Sequence, residues 1–131
     1  LSLKKNKFNF EKFVLKTLFE KKIELVCLAG FMKILSKNFI RNFKGKIINI
    51  HPSLLPKYKG LNTFQRVLKS KEKFTGCTVH FVDEKLDNGR IITKNKIIIN
   101  KKDDVDKLKK KVQIQEYLAY SRAIRKIYIS G

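Results

Sequence analysis

An asparagine and a histidine one apolar residue apart, Asn49-Ile50-His51, close the run that starts at Lys46, and Pro52 follows at once. Residues two apart in extended chain point to one side, so a side-chain amide and an imidazole would face the same space. The pair suits one kind of chemistry: an amide N–H and an imidazolium N–H aimed at one oxygen stabilise an oxyanion. A lone histidine at a strand end also serves as a hydrogen-bonded structural residue, and the triplet by itself leaves both readings open. Pro52 fixes the exit of the chain and Pro56 stiffens the loop around it.

A carboxylate that would hold an imidazole protonated lies in Leu86-Asp87-Asn88-Gly89-Arg90. A negative charge beside a histidine favours its charged form and raises its pKa from the ordinary ~6.5. Asp-Asn-Gly between two strands is equally a hairpin turn signature, because Asn and Gly tolerate positive φ. His80, inside Thr78-Val79-His80-Phe81-Val82, reads as a packed strand residue. Gln113 and Glu116 stand one helical turn apart, where a solvated helix face is the plain reading.

The elements that must position these residues follow from hydrophobic spacing. Residues 10–22 place Phe10, Phe13, Val14, Thr17 and Leu18 at helical intervals, with Asn9 as N-cap. Residues 24–30 form a short continuous apolar run closed by Gly30, which suits a strand buried on both faces. Ser36 caps a short helix carrying Phe39, Ile40 and Phe43, ended by Gly45. Residues 46–50 predict a second strand, 62–70 a helix from Thr63, 76–82 a third strand and 90–100 a fourth. Val105, Leu108, Val112, Ala119, Ala123 and Ile127 mark one long amphipathic helix over 103–128. Strands alternating with helices predict an α/β sheet covered on both faces, whose ligand crevice lies outside the carboxyl ends of the strands. Asn49 and His51 fall at such an end. The loop after Gly30 belongs to the same edge, and the turn holding Asp87 is expected in the same region.

At 131 residues and 43% hydrophobic, the chain has the substance of one domain with one core. No run approaches the roughly 18 apolar residues of a membrane span, and the first residues lack the apolar stretch of a secretory signal. The net charge of +20 admits nucleic acid, an anionic membrane or small anions as partners. The lysines form no single block and do not interleave with aromatics, which favours compositional drift over a built surface. Cys27 and Cys77 lie far apart in apolar runs without metal-ligand spacing, and read as reduced core residues of a cytoplasmic protein.

Four stretches carry a resemblance. Leu25 to Ser36 (LVCLAGFMKILS), Asn49 to Thr63 (NIHPSLLPKYKGLNT), Gly76 to Gly89 (GCTVHFVDEKLDNG) and Val112 to Glu116 (VQIQE) occur in the order seen in the phosphoribosylglycinamide formyltransferases of purine synthesis. The likeness runs from about residue 8 to the C-terminus, and the His-Pro-Ser-Leu-Leu-Pro block is its most specific part. It implies a Rossmann-like formyltransferase fold, a mostly parallel sheet with flanking helices. It also implies that residues 1–131 are a single formyltransferase domain lacking its N-terminal strands, the C-terminal two-thirds of the unit. The implied reaction is attack by the amine of 5-phosphoribosylglycinamide on the formyl carbon of 10-formyltetrahydrofolate, a cosubstrate, with no metal and no covalent enzyme intermediate.

By the same resemblance Asn49, His51 and Asp87 match the catalytic residues. Met32, Lys33, Ile34 and Leu35 match the segment whose backbone holds the pterin ring. Asp83 to Asp87 match the other wall of that pocket, to which Asn49 also contributes, and Glu116 matches a residue contacting the glycinamide substrate. The partners implied are small molecules, with neither nucleic acid nor membrane, and the state a monomer or weak homodimer. Phe64 stands where the family usually has histidine and Arg90 where it has proline, both beside the site. The family's Gly-rich phosphate loop has no counterpart in residues 1–131, so this stretch alone is expected not to turn over. Methionyl-tRNA formyltransferase would need a further RNA-binding domain after the last helix. Formyltetrahydrofolate deformylase typically has a second histidine in place of Pro52. A basic nucleic-acid-binding module is the reading from another class, and strong salt dependence would be its signature.

Overall fold

The computed structural model describes residues 3–30, 35–83 and 89–129. Eight elements follow in order: α1 (Leu3–Glu20), β1 (Leu25–Ala29), α2 (Lys37–Asn42), β2 (Lys46–His51), α3 (Thr63–Lys69), β3 (Phe74–Phe81), β4 (Ile91–Ile98) and α4 (Val105–Tyr128). The strands make one sheet in the order β1-β2-β3-β4.

Side-chain alternation along β2 sorts the molecule into layers. Ile48 and Ile50 join Cys77 and Val79 of β3 on one face, where Val112, Ala119 and Ala123 of α4 cover them. Ile47, with Val26 and Leu28 of β1, faces the other way and meets Val14, Leu15 and Leu18 of α1, Phe39 of α2 and Phe43 just after it. Asn49 and His51 have the parity of Ile47, so the polar pair stands on the α1/α2 face. α4 starts at Asp104, whose Oδ1 accepts from the Lys107 N–H at 2.8 Å. α2 starts at Ser36, whose Oγ accepts from the Phe39 N–H at 3.1 Å, as expected of a cap.

Several expectations need correction. α1 begins at Leu3, which leaves Asn9 inside the helix rather than capping it. Its buried side is also rotated: Phe10 and Phe13 are exposed, while Glu11 is buried beside α2. The Glu11 carboxylate accepts from both the Ser36 N–H (3.0 Å) and the Ser36 hydroxyl (2.6 Å), and that clamp sets the helix's rotation. β1 is half-buried to exposed rather than buried on both faces, because among the described residues β2 alone pairs with it. Cys77 is buried as expected, but Cys27 on β1 is exposed.

The α/β architecture with flanking helices stands, and the described sheet is mixed rather than mostly parallel. β1 and β2 run parallel, whereas β2–β3 and β3–β4 are antiparallel. The nine residues 82–90 between β3 and β4 are too short for a helical crossover, which forces a hairpin. Gly89 lets that hairpin close: a Cβ there would sit 1.6 Å from the Phe81 carbonyl oxygen. The antiparallel register also places Phe81 level with Ile48, and Thr78 level with His51. β3 therefore ends toward the amino end of β2, away from the edge where His51 stands, contrary to the expectation that the β3–β4 connection leaves from that edge; Asp87 itself lies outside the described residues. The loop after β1 does leave from that edge, since Ala29 pairs with Ile50.

Candidate active site

The carboxyl end of β2 runs into a loop held by its own polar groups. The Thr78 hydroxyl donates to the Ser53 carbonyl at 2.7 Å and accepts from the Leu55 N–H at 3.0 Å. The Ser53 hydroxyl donates to the Lys57 carbonyl at 2.6 Å, and the Leu55–Pro56 peptide is cis. Tyr58 then takes φ 57, a left-handed conformation uncommon for a bulky residue. Its hydroxyl donates to Glu72 at 3.0 Å, and the Arg66 guanidinium lies 5.7 Å from its ring centre. These contacts offset the backbone strain and aim the Tyr58 carbonyl at His51.

His51 is buried, with Nε2 2.7 Å from that carbonyl oxygen. A carbonyl only accepts, so Nε2 carries a proton and donates it. The proton that distinguishes imidazole from imidazolium is therefore the one on Nδ1. His80 is buried too and carries its protons the other way round. Its Nδ1 lies 2.9 Å from the Phe81 carbonyl oxygen and must donate. In the neutral ring, Nε2 is then an acceptor.

Asn49 completes the group. It pairs across the sheet with His80, and its Nδ2 lies 3.4 Å from His80 Nε2. The amide donates there, while its Oδ1 is buried and meets no donor among the described residues. An acceptor left so is costly unless a ligand supplies the donor. The cluster thus offers an N–H, an acceptor oxygen and an imidazole on one face of the sheet.

The remaining sequence-derived positions are distributed unevenly. Asp87 and the Met32, Lys33 and Ile34 stretch lie outside the described residues. Leu35 is half-buried in the α1/α2 layer, on the Asn49 side of the sheet. Asp83 is half-buried and follows Val82, whose N–H donates to the Ile47 carbonyl at 2.9 Å. Glu116 is not on a solvated face. It lies on the sheet-facing stripe of α4 near Cys77 and Tyr120, across the sheet from the Asn49 side chain. Burial raises its carboxyl above the ordinary value, opposed by the Lys109 charge. Burial and the charge of Glu116 push the Cys77 thiol up to about 12. The Tyr120 hydroxyl donates to the Leu28 carbonyl, tying α4 to β1. Phe64 packs into the α4-side core, and Arg90 lies with its guanidinium 4.9 Å from the Phe81 ring centre.

Sequence reasoning placed His80 as a packed strand residue, which it is, but did not foresee its contact with Asn49 or that of the Tyr58 carbonyl with His51. The first was detectable only through strand register, since Thr78 and His80 share a parity that an antiparallel partner brings opposite His51 and Asn49. The second gives no signal, because its contribution is a backbone carbonyl.

The chain belongs to the formyl transferase family, whose profile matches residues 3–124. Among curated relatives, phosphoribosylglycinamide formyltransferase of Haemophilus influenzae is 46% identical over 103 residues, covering 79% of this chain and 49% of its own. The trifunctional purine biosynthetic protein adenosine-3 of Drosophila melanogaster is 48% identical over 79% of this chain and 8% of its own length. The crystal structure of phosphoribosylglycinamide formyltransferase from Anaplasma phagocytophilum superposes with TM-score 0.85 at 39% identity, covering 88% of this chain and 56% of that one. The chain therefore spans about half the length of the Haemophilus relative and a small part of the Drosophila protein.

Proposed function

We propose that the protein transfers a formyl group from 10-formyltetrahydrofolate to the primary amine of 5-phosphoribosylglycinamide, a step of purine biosynthesis. The observation that carries this reading is the Asn49–His51 pair at the carboxyl end of β2, with a buried Asn49 oxygen lacking a donor among the described residues, in a chain 46% identical to a phosphoribosylglycinamide formyltransferase. The substrate amine attacks the formyl carbon and forms a new C–N bond. The carbonyl electron pair moves onto oxygen, where an Asn49 N–H and the protonated His51 ring stabilise it. The intermediate collapses by breaking the bond to the folate nitrogen, and the proton lost by the amine passes to that nitrogen. Asp87 supports the imidazolium charge and assists the proton's movement.

Met32, Lys33, Ile34 and Leu35 hold the pterin from one side, and Asn49 with Asp83 to Asp87 from the other. Glu116 contacts the glycinamide substrate from the α4 side. Residues 1–131 contribute one formyltransferase domain, and turnover requires an anchor for the substrate's phosphate. Anchoring a remote group supplies part of the positioning that transfer needs. The protein works in the cytoplasm on small molecules, as a monomer or weak homodimer. Among the described residues, no helix is long and apolar enough to cross a membrane.

The test is formyl transfer by the full-length protein, with glycinamide ribonucleotide and water compared as acceptors. Preferential formylation of the ribonucleotide supports the reading, and hydrolysis of the donor without transfer overturns it in favour of a deformylase. Asp87→Asn belongs in the same assay, because it keeps the turn chemistry and removes only the charge. It is expected to lower turnover strongly at unchanged melting temperature, and an active variant would leave Asp87 a turn residue.

A further inference from the structure

The transfer reaction as described uses Asn49 through its side-chain amide, and an amide has two unlike ends. One end donates and the other accepts, and rotation by half a turn about the Cβ–Cγ axis exchanges them. An oxyanion needs the N–H end, whereas an attacking amine needs the oxygen. Something must decide which end points where.

We propose that His80 is a positioning residue for the transfer step, fixing the orientation of the Asn49 amide. The Phe81 carbonyl, 2.9 Å from His80 Nδ1, requires a proton on that nitrogen, so the neutral ring presents a bare Nε2. That lone pair faces the Asn49 amide at 3.4 Å. With the NH₂ turned toward it, one hydrogen is held by Nε2 and the second remains for the developing oxyanion. Oδ1 is then directed away, buried and without a donor among the described residues, as a group poised to accept from the attacking amine would be. The flipped amide would set an oxygen lone pair against a nitrogen lone pair, two acceptors facing each other. Burial of His80 removes the water that would relieve that repulsion. Cross-strand pairing of Asn49 with His80 keeps the two side chains on one face. The inference rests on the proposed reaction for its consequence, and on the hydrogen-bond geometry alone for its premise.

The experiment uses the full-length protein and the variants His80→Phe, His80→Gln, Asn49→Ala and the double variant Asn49→Ala/His80→Phe. His80→Phe removes the acceptor and is expected to lower kcat about tenfold or more, leaving KM for the formyl donor within about twofold. His80→Gln offers a carbonyl oxygen in place of Nε2 and should recover most of the loss. In the Asn49→Ala background, His80→Phe should cost nothing further, whereas a merely structural role would cost the same factor in both. Unchanged kcat in His80→Phe, or the same loss in both backgrounds, overturns the proposal. Nitrogen-15 NMR of the wild type reads the premise without any reaction. A bare Nε2 on His80, and an Asn49 NH₂ signal that moves in His80→Gln, support the contact even if the transfer reaction itself is not found. A protonated Nε2 at neutral pH overturns it.

Discussion

The two histidines near Asn49 differ in which ring nitrogen donates, because each meets a different backbone carbonyl. His51 donates from Nε2 to the Tyr58 carbonyl, while His80 donates from Nδ1 to the Phe81 carbonyl and, as a neutral ring, accepts at Nε2. Glu116 poses a different electrostatic problem. Burial raises its carboxyl from the ordinary 4.5, so folding favours the neutral form. Its stabilising contribution is complete below that ordinary value and is lost as pH rises through the raised one. Glu116→Gln keeps the shape and removes the buried charge. The melting temperature at pH 7 should therefore rise by roughly 1–3 °C, with the gain shrinking toward pH 4. If Glu116 contacts the glycinamide substrate, KM for that substrate rises in the same variant. A melting curve that falls at pH 7 would contradict the burial argument. That Asn49 and His51 share one face at the end of a strand was legible from strand periodicity, whereas their role came only from the family resemblance. Glu116 read as solvated because a single carboxylate on an amphipathic helix gives no sign of how far the sheet covers it.

At the scale of elements, the least expected contact is the one that joins α1 to α2. The Glu11 carboxylate accepts from the Ser36 N–H and hydroxyl, at the start of the helix that follows residues 31–34. Glu11→Ala leaves the half-buried Ser36 N–H without its acceptor, which costs on the order of 1 kcal/mol. Thermal unfolding should show a drop of several degrees, with Glu11→Gln losing less because its amide oxygen still accepts. An unchanged melting temperature in Glu11→Ala would show that the clamp contributes nothing. Counting apolar residues predicted a helix here but misjudged its face, since a polar residue committed to burial looks exposed in sequence. The caps at Ser36 and Asp104 were more legible, Ser36 as a cap and Asp104 within the predicted helix start. Strand direction was only partly legible: alternation of strands and helices suggested parallel pairs, while the Asp-Asn-Gly signature between the third and fourth strands pointed to the antiparallel β3–β4 pairing that the structure has.

For the molecule as a whole, the open side of the sheet is the informative surface. Cys27 on β1 is exposed, as are Phe10 and Phe13 on α1 and Tyr117 and Leu118 on α4. Cys77 is buried with its thiol pushed up to about 12, which makes it inert. A thiol reagent at pH 8 should therefore label residues 1–131 once, at Cys27, and reach Cys77 only on unfolding. Because the relatives extend well beyond the matched region, a longer product in which further chain covers β1 should protect Cys27 and suppress the self-association expected of a strand edge that has no partner among the described residues. Equal labelling of Cys27 in both would mean that β1 is an outer strand in the whole protein. The positive charge does not oppose this, since exposed apolar area and an open edge act at contact range while salt screens charge.

The account turns on Asn49 and His51 stabilising charge in the transition state. The most direct measurement is steady-state formyl transfer from 10-formyltetrahydrofolate to glycinamide ribonucleotide by the full-length protein carrying His51→Ala or Asn49→Ala. Loss of an oxyanion donor should lower kcat by about 10²-fold, while folate affinity measured by equilibrium binding changes little. Near-normal turnover in both variants, or a loss confined to binding, would contradict it.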